Sequence, residues 1–128
     1  MHDLAITRTV VAIVAEQARG HPVRRVLLEI GQLSGVMAGA VRFCFEVVAK
    51  GTPAEGAALE IREPAGLARC RACGESFAQA TLFQPCPCGA RDFARLAGEE
   101  LKVVEIEIET ADAAAGEAAA GAPGVSAA

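Results

Sequence analysis

The 128-residue sequence contains no tryptophan and no tyrosine, and five phenylalanines are its only aromatic residues. A surface for stacking nucleobases is therefore poorly supplied. Only two histidines occur, His2 and His21, so neither a Ser-His-Asp nor a Cys-His catalytic constellation assembles, and the chain reads as a non-enzyme. Long apolar runs are missing too: the longest, Val10 to Ala15, falls far short of the roughly 20 residues that span a bilayer. Asp3 and Arg8 interrupt a signal-peptide pattern, which points to a cytoplasmic protein with no membrane partner. Positive charge is also scarce. The formal net charge is -4, the acidic excess gathers after residue 98, and no basic stripe is present to hold a phosphate backbone, which argues against a nucleic-acid partner.

What is present is a small alanine-rich chain, long enough for one ordinary domain or two very small ones. Leu4, Thr7, Val11, Val14 and Ala18 fall at helical steps, predicting a helix over Met1 to Gly20 with Asp3 as its N-cap and Gly20-Pro22 as its stop. Val26, Leu28 and Ile30 alternate as in a strand. A second helix carries Val41, Phe45 and Val48 on one face and ends at Lys50-Gly51. Leu59 and Ile61 predict a second strand. Val104, Ile106 and Ile108 interleave with Glu105, Glu107 and Glu109 to give a third, with one face buried and one acidic and solvated. The expected fold class is α+β, a three-stranded sheet with two helices on one face and a cysteine lobe inserted between the last two strands. In this arrangement the first two strands run parallel and the last two form an antiparallel pair. The tail over residues 111–128 has nothing periodic to bury and reads as disordered.

The insert, Leu67 to Ala97, has little aliphatic material and needs a staple to be ordered. Cys70-Arg71-Ala72-Cys73 and Cys86-Pro87-Cys88-Gly89 supply one. Two thiolate pairs separated by twelve residues converge on a tetrahedral ion, and zinc is the usual occupant of a closed four-cysteine site. Gly74 and Gly89 let the backbone turn around the metal, and the arginines at 69, 71 and 91 offset thiolate charge. A redox pair or an iron-sulfur cluster fits the spacing less well. A zinc-ribbon module for nucleic acid or protein interaction is the alternative reading of such a lobe. Cys44, between Phe43 and Phe45, reads as a buried small hydrophobe.

At the chain start, the Met1 amine, the His2 amide and the His2 imidazole close adjacent chelate rings, and the Asp3 amide completes four nitrogens in a plane. Square-planar nitrogen coordination suits Ni(II) or Cu(II).

Several motifs occur together in order: Met1-His2-Asp3, Ile30-Gly31-Gln32-Leu33-Ser34, Phe43-Cys44-Phe45-Glu46 with Gly51-Thr52-Pro53-Ala54-Glu55-Gly56, the four cysteines, and Gly98-Glu99-Glu100-Leu101 running to Glu109. Over residues 1–109 they resemble the HypA/HybF family of nickel metallochaperones in hydrogenase maturation. The resemblance implies a nickel-binding α+β domain over 1–66 and 98–110 and a zinc lobe over 67–97. It implies Ni(II) as transported cargo, held by the His2 side chain and by backbone nitrogens of Met1 and Asp3, with structural Zn(II) on Cys70, Cys73, Cys86 and Cys88. It further implies a HypB-type GTPase and the hydrogenase large subunit as partners, and allows urease accessory proteins and a homodimer. Two departures stand out. Asp3 is one methylene shorter than the family's usual Glu, leaving its backbone amide unaffected, and the second cysteine pair is Cys-x-Cys.

Overall fold

The computed structural model describes residues 2–110. The readings made for Met1 and for the tail lie outside them. The first helix, α1, covers His2–Ala18 and the second, α2, Ala38–Val48. Strand β1 is Val23–Ile30, β2 is Ala58–Arg62 and β6 is Leu101–Ile108, while β3 (Gly66–Cys70), β4 (Ser76–Gln79) and β5 (Phe93–Ala97) lie between β2 and β6. The strands form two three-stranded sheets, ordered β2-β1-β6 and β4-β3-β5. The fold is α+β. The chain divides into two compact units, one built from the segments up to Leu28, Met37–Ile61 and from Lys102 onward, the other from Glu29–Val36 and Arg62–Leu101.

In the first unit α1 buries Thr7, Val10, Val11, Val14 and Ala18, the stripe that steps of three and four produce. Asp3 lies inside the helix rather than at its N-cap, because helical hydrogen bonding already includes His2. The buried Thr7 hydroxyl donates to the Asp3 carbonyl at 2.7 Å. Arg19 and Gly20 take positive φ angles of 53° and 87° and end the helix one turn earlier than Pro22 would. Helix α2 packs on α1 and buries Val41 and Phe45. Cys44 departs from expectation: it is partly exposed beside Phe43.

Strand β1 is central, which corrects the expected pairing of the second and last strands. The amide of Glu109 donates to the Pro22 carbonyl, and that of Gly31 to the Glu100 carbonyl, each at 2.8 Å. Residue numbers thus rise on one strand as they fall on the other, so β6 is antiparallel to β1. A central strand has a neighbour along each edge, and at its middle Val26, Leu27 and Leu28 are all buried in succession. The acidic ladder is not merely solvated. The Arg25 guanidinium reaches Glu60 at 2.8 Å, Glu105 at 3.1 Å and Glu107 at 3.5 Å, joining all three strands.

The second unit has more regular structure than its composition predicts. Strand β3 pairs antiparallel with both β4 and β5, with a register irregularity between Leu67 and Ala68 on the β5 side. Its entry is a crowded backbone crossing. A Cβ on Gly31 would overlap the Gly98 carbonyl oxygen and lie 2.6 Å from Glu100 Oε1, while the Leu33 amide donates to that same carbonyl at 2.7 Å. Only glycine permits this approach.

A candidate metal centre of four thiols

Cys70 ends β3 and starts a turn whose Gly74 amide donates to the Cys70 carbonyl at 2.9 Å. Gly74 has φ of 80°, which returns the chain to β4. The turn directs the Ala72 and Cys73 amides at the Cys70 sulfur, at 3.3 and 3.4 Å. The second turn repeats this plan with one residue fewer. Gly89, at φ 95°, donates its amide to the Cys86 carbonyl at 2.7 Å, and the Cys88 amide points at the Cys86 sulfur at 3.5 Å. The Cys-x-Cys spacing is accommodated by closing the turn over three residues instead of four.

The two turns bring Cys70, Cys73, Cys86 and Cys88 together, with all four sulfurs within 4.8 Å of one another. Cys70 Sγ lies 3.8 Å from Cys88 Sγ, and Cys73 Sγ lies 3.7 Å from Cys86 Sγ. These distances are far longer than the roughly 2.05 Å of a disulfide. They match the edge of a tetrahedron of sulfurs at about 2.3 Å from its centre, which is about 3.8 Å, so the donor set fits a zinc ion in distance and in chemistry. Cys70 and Cys86 are buried while Cys73 and Cys88 are exposed.

As free thiols the four are unequal. The Cys73 amide, with help from that of Ala72, draws the Cys70 thiol down to about 7 against the opposing effect of burial. At Cys86 the Cys88 amide also lowers the value, but burial and the three neighbouring thiols outweigh it and push the thiol up to about 12. Cys73 is raised as well: burial and the neighbours Cys70 and Cys88 exceed the pull of the Glu75 amide and of Cys86.

The cluster is part of the lobe's core. Ala68, Cys70, Phe77 and Cys86 are its buried residues, with Ala90 and Phe93 against them. Phe77 and Phe93 meet edge to face at 5.9 Å between centroids, and the Arg95 guanidinium sits 5.4 Å over Phe93. Arg71 does not turn to the thiolates, as its position in the motif suggested. It binds Asp92 at 2.7 Å and the Phe93 carbonyl at 2.9 Å, tying the first turn to β5. Arg69 and Arg91 are exposed. Arg95, a residue the motifs did not single out, donates to Gln79 at 3.1 Å and to the Leu82 carbonyl and holds the loop between the two turns. Its only advance signal was an arginine in an otherwise apolar strand.

At the other candidate site, His2 is exposed on the first turn of α1, Asp3 is partly buried and Met1 is outside the described residues. His21 lies in the loop before β1. Cys44 does not join the four thiols.

A two-sheet α+β fold with a glycine-turned four-thiol cluster defines a small metal-handling protein. The family model for hydrogenase and urease nickel incorporation, the metallochaperone HypA, matches residues 1–108. The chain belongs to the HypA family, whose members are metallochaperones and maturation factors rather than enzymes. It is 54% identical over 109 residues to the hydrogenase maturation factor HypA of a Nostoc species, covering 85% of this chain and 96% of the relative. It is 48% identical over 110 residues to that of Geobacter sulfurreducens, covering 85% and 100%. The solution structure of the Ni metallochaperone HypA from Helicobacter pylori has the same fold at a TM-score of 0.62 and 20% identity, covering 83% of this chain and 96% of that one. Among the described residues no helix is long and apolar enough to cross a membrane.

Proposed function

We propose that the chain carries Ni(II) on its N-terminus and passes it, with a HypB-type GTPase in the cytoplasm, to the large subunit of a hydrogenase, while zinc occupies the four thiols. The reading is supported above all by the family match, which starts at residue 1, combined with the exposure of His2. The first amides of an α-helix have no upstream carbonyl to bond. Those of His2 and Asp3 can therefore exchange a proton for nickel without breaking a helical hydrogen bond. The His2 imidazole and the Met1 amine complete a planar nitrogen set that suits Ni(II). Such a site at a chain end is open on one side to the ligands of a receiving protein.

The four thiols would hold zinc as a closed shell, leaving no position for water, so the ion supplies structure rather than Lewis acidity. Hard nitrogen donors at one site and soft sulfur at the other sort the two metals. Calorimetric nickel titration of the zinc-loaded chain tests the assignment. Compared with the wild type, His2→Ala and a variant extended before Met1 should each lose at least about tenfold in affinity. Equal affinity in all three refutes it.

A further inference from the structure

The four-thiol cluster is asymmetric in a way that holding a metal does not require. Cys70 and Cys86 are 1% and 4% exposed, packed among Ala68, Phe77, Ala90 and Phe93, whereas Cys73 and Cys88 face solvent. The Cys70 sulfur is further engaged by the Ala72 and Cys73 amides, and the Cys86 sulfur by the Cys88 amide. Each turn therefore supplies one sheltered and one open sulfur. Two close sulfur contacts run from one turn to the other: exposed Cys88 lies 3.8 Å from buried Cys70, and exposed Cys73 lies 3.7 Å from buried Cys86. Every open thiol thus has a sheltered one beside it, the arrangement that carries an oxidised cysteine on to a disulfide.

We propose that the lobe is a peroxide-responsive switch, in which Cys73 and Cys88 take the oxidant and Cys86 and Cys70 resolve them as disulfides across the two turns, ending metal binding. The oxidant is hydrogen peroxide, and each pair undergoes one two-electron oxidation. The exposed thiolate attacks a peroxide oxygen, the O–O bond breaks, hydroxide leaves and the sulfur becomes a sulfenic acid. The buried thiolate beside it then attacks that sulfur; the S–S bond forms, the S–O bond breaks and a second hydroxide leaves. Four thiolates and two peroxides give two disulfides and four hydroxides, and no thiolate remains as a metal ligand. Four cysteines allow three connectivities. Pairing within each turn would close a ring between Cys86 and Cys88, one residue apart and too near in sequence for an unstrained disulfide. Pairing exposed with exposed would leave Cys70 and Cys86 to be oxidised under their apolar cover. Contact and access both select the crossed pairing, unlike a Cys-x-x-Cys redox couple, whose two sulfurs share one turn.

The test uses the reduced, zinc-loaded chain carrying Cys44→Ser, which removes the one cysteine outside the cluster. Hydrogen peroxide from about 0.1 to about 2 mM should release zinc to a chromophoric indicator at a rate proportional to peroxide, at least about tenfold faster at the top of the range than without oxidant. Tandem mass spectrometry of unreduced digests should find disulfides joining Cys70 to Cys88 and Cys73 to Cys86. Dimedone should label Cys73 and Cys88 only, and dithiothreitol with added zinc should restore the bound metal. The proposal rests on the reading that zinc occupies the thiols, and metal analysis before oxidation separates the two. A chain that takes up no zinc fails that reading and this one with it, whereas a zinc-loaded chain that keeps its metal in peroxide fails this one alone. Disulfides within the turns or dimedone on Cys70 or Cys86 overturn it. So does release at a rate independent of peroxide, since the thiols would then react only after the metal had left.

Discussion

Zinc titration of the metal-free chain should release protons in a number set by the unequal thiols. Thiolate is the form that binds metal, so every thiol still protonated at the working pH must lose its proton on binding. At pH 7 Cys70, drawn down to about 7, is about half ionised, whereas Cys86, pushed up to about 12, and the raised Cys73 are protonated. These three alone should release about two and a half protons per zinc. Affinity then rises with pH, by roughly a hundredfold to a thousandfold from pH 6 to pH 7, and acid favours release. Calorimetry in buffers of different ionisation enthalpy counts the protons directly. Serine substitution adds a residue-level check, because at pH 7 Cys86→Ser should lower the count by about one and Cys70→Ser by only about half. Release of fewer than one proton, or an affinity flat across this range, would refute the ordering of the thiols and the backbone geometry held responsible for it.

Three further outcomes follow from packing and charge. Gly31→Ala drives a methyl into the Gly98 carbonyl and should cost about 2–3 kcal/mol, a fall of roughly 10–20 °C in the midpoint of a thermal melt; an unchanged midpoint would contradict the close crossing. Phe77→Ala removes the largest apolar side chain in the lobe core and should cost about 3 kcal/mol there, with hydrogen exchange accelerated in β3, β4 and β5 and protection of α1 retained. Arg25→Met leaves Glu60, Glu105 and Glu107 facing one another without their shared cation. Because those carboxylates are about half exposed, the loss should be only about 1 kcal/mol at low ionic strength, and added salt should restore most of it.

Periodicity exposed α1, α2, β1 and β6, because each presents one apolar face over two turns or several alternations. It did not expose β3, β4 and β5. Those strands are four or five residues long, and two of the four buried positions in their core are cysteines, so no aliphatic alternation marks them. The order of the larger sheet was misjudged for a related reason: alternation states which residues face inward but not which strand is central. The uninterrupted Val26-Leu27-Leu28 reports cover on both faces at the middle of the strand, which is a separate property from having a neighbour along each edge. The four thiols were legible from spacing alone, as turn geometry leaves few ways to place such pairs. The role of Arg71 was not, because its partner Asp92 lies 21 residues away in sequence.

Half of the buried residues in the lobe's apolar cluster are thiols, and this makes its folding a matter of supply. Phe77 and Ala68 are apolar whatever the surroundings, but Cys70 and Cys86 hold the lobe together only through an atom the chain cannot encode. The stability of the lobe is then a function of free-metal concentration, growing as RT ln(1 + [metal]/Kd). The helical unit has no such dependence among its described contacts. Metal starvation would thus unfold one part of a single polypeptide and leave the other standing, so the protein's own shape would report how much thiophilic ion its surroundings contain.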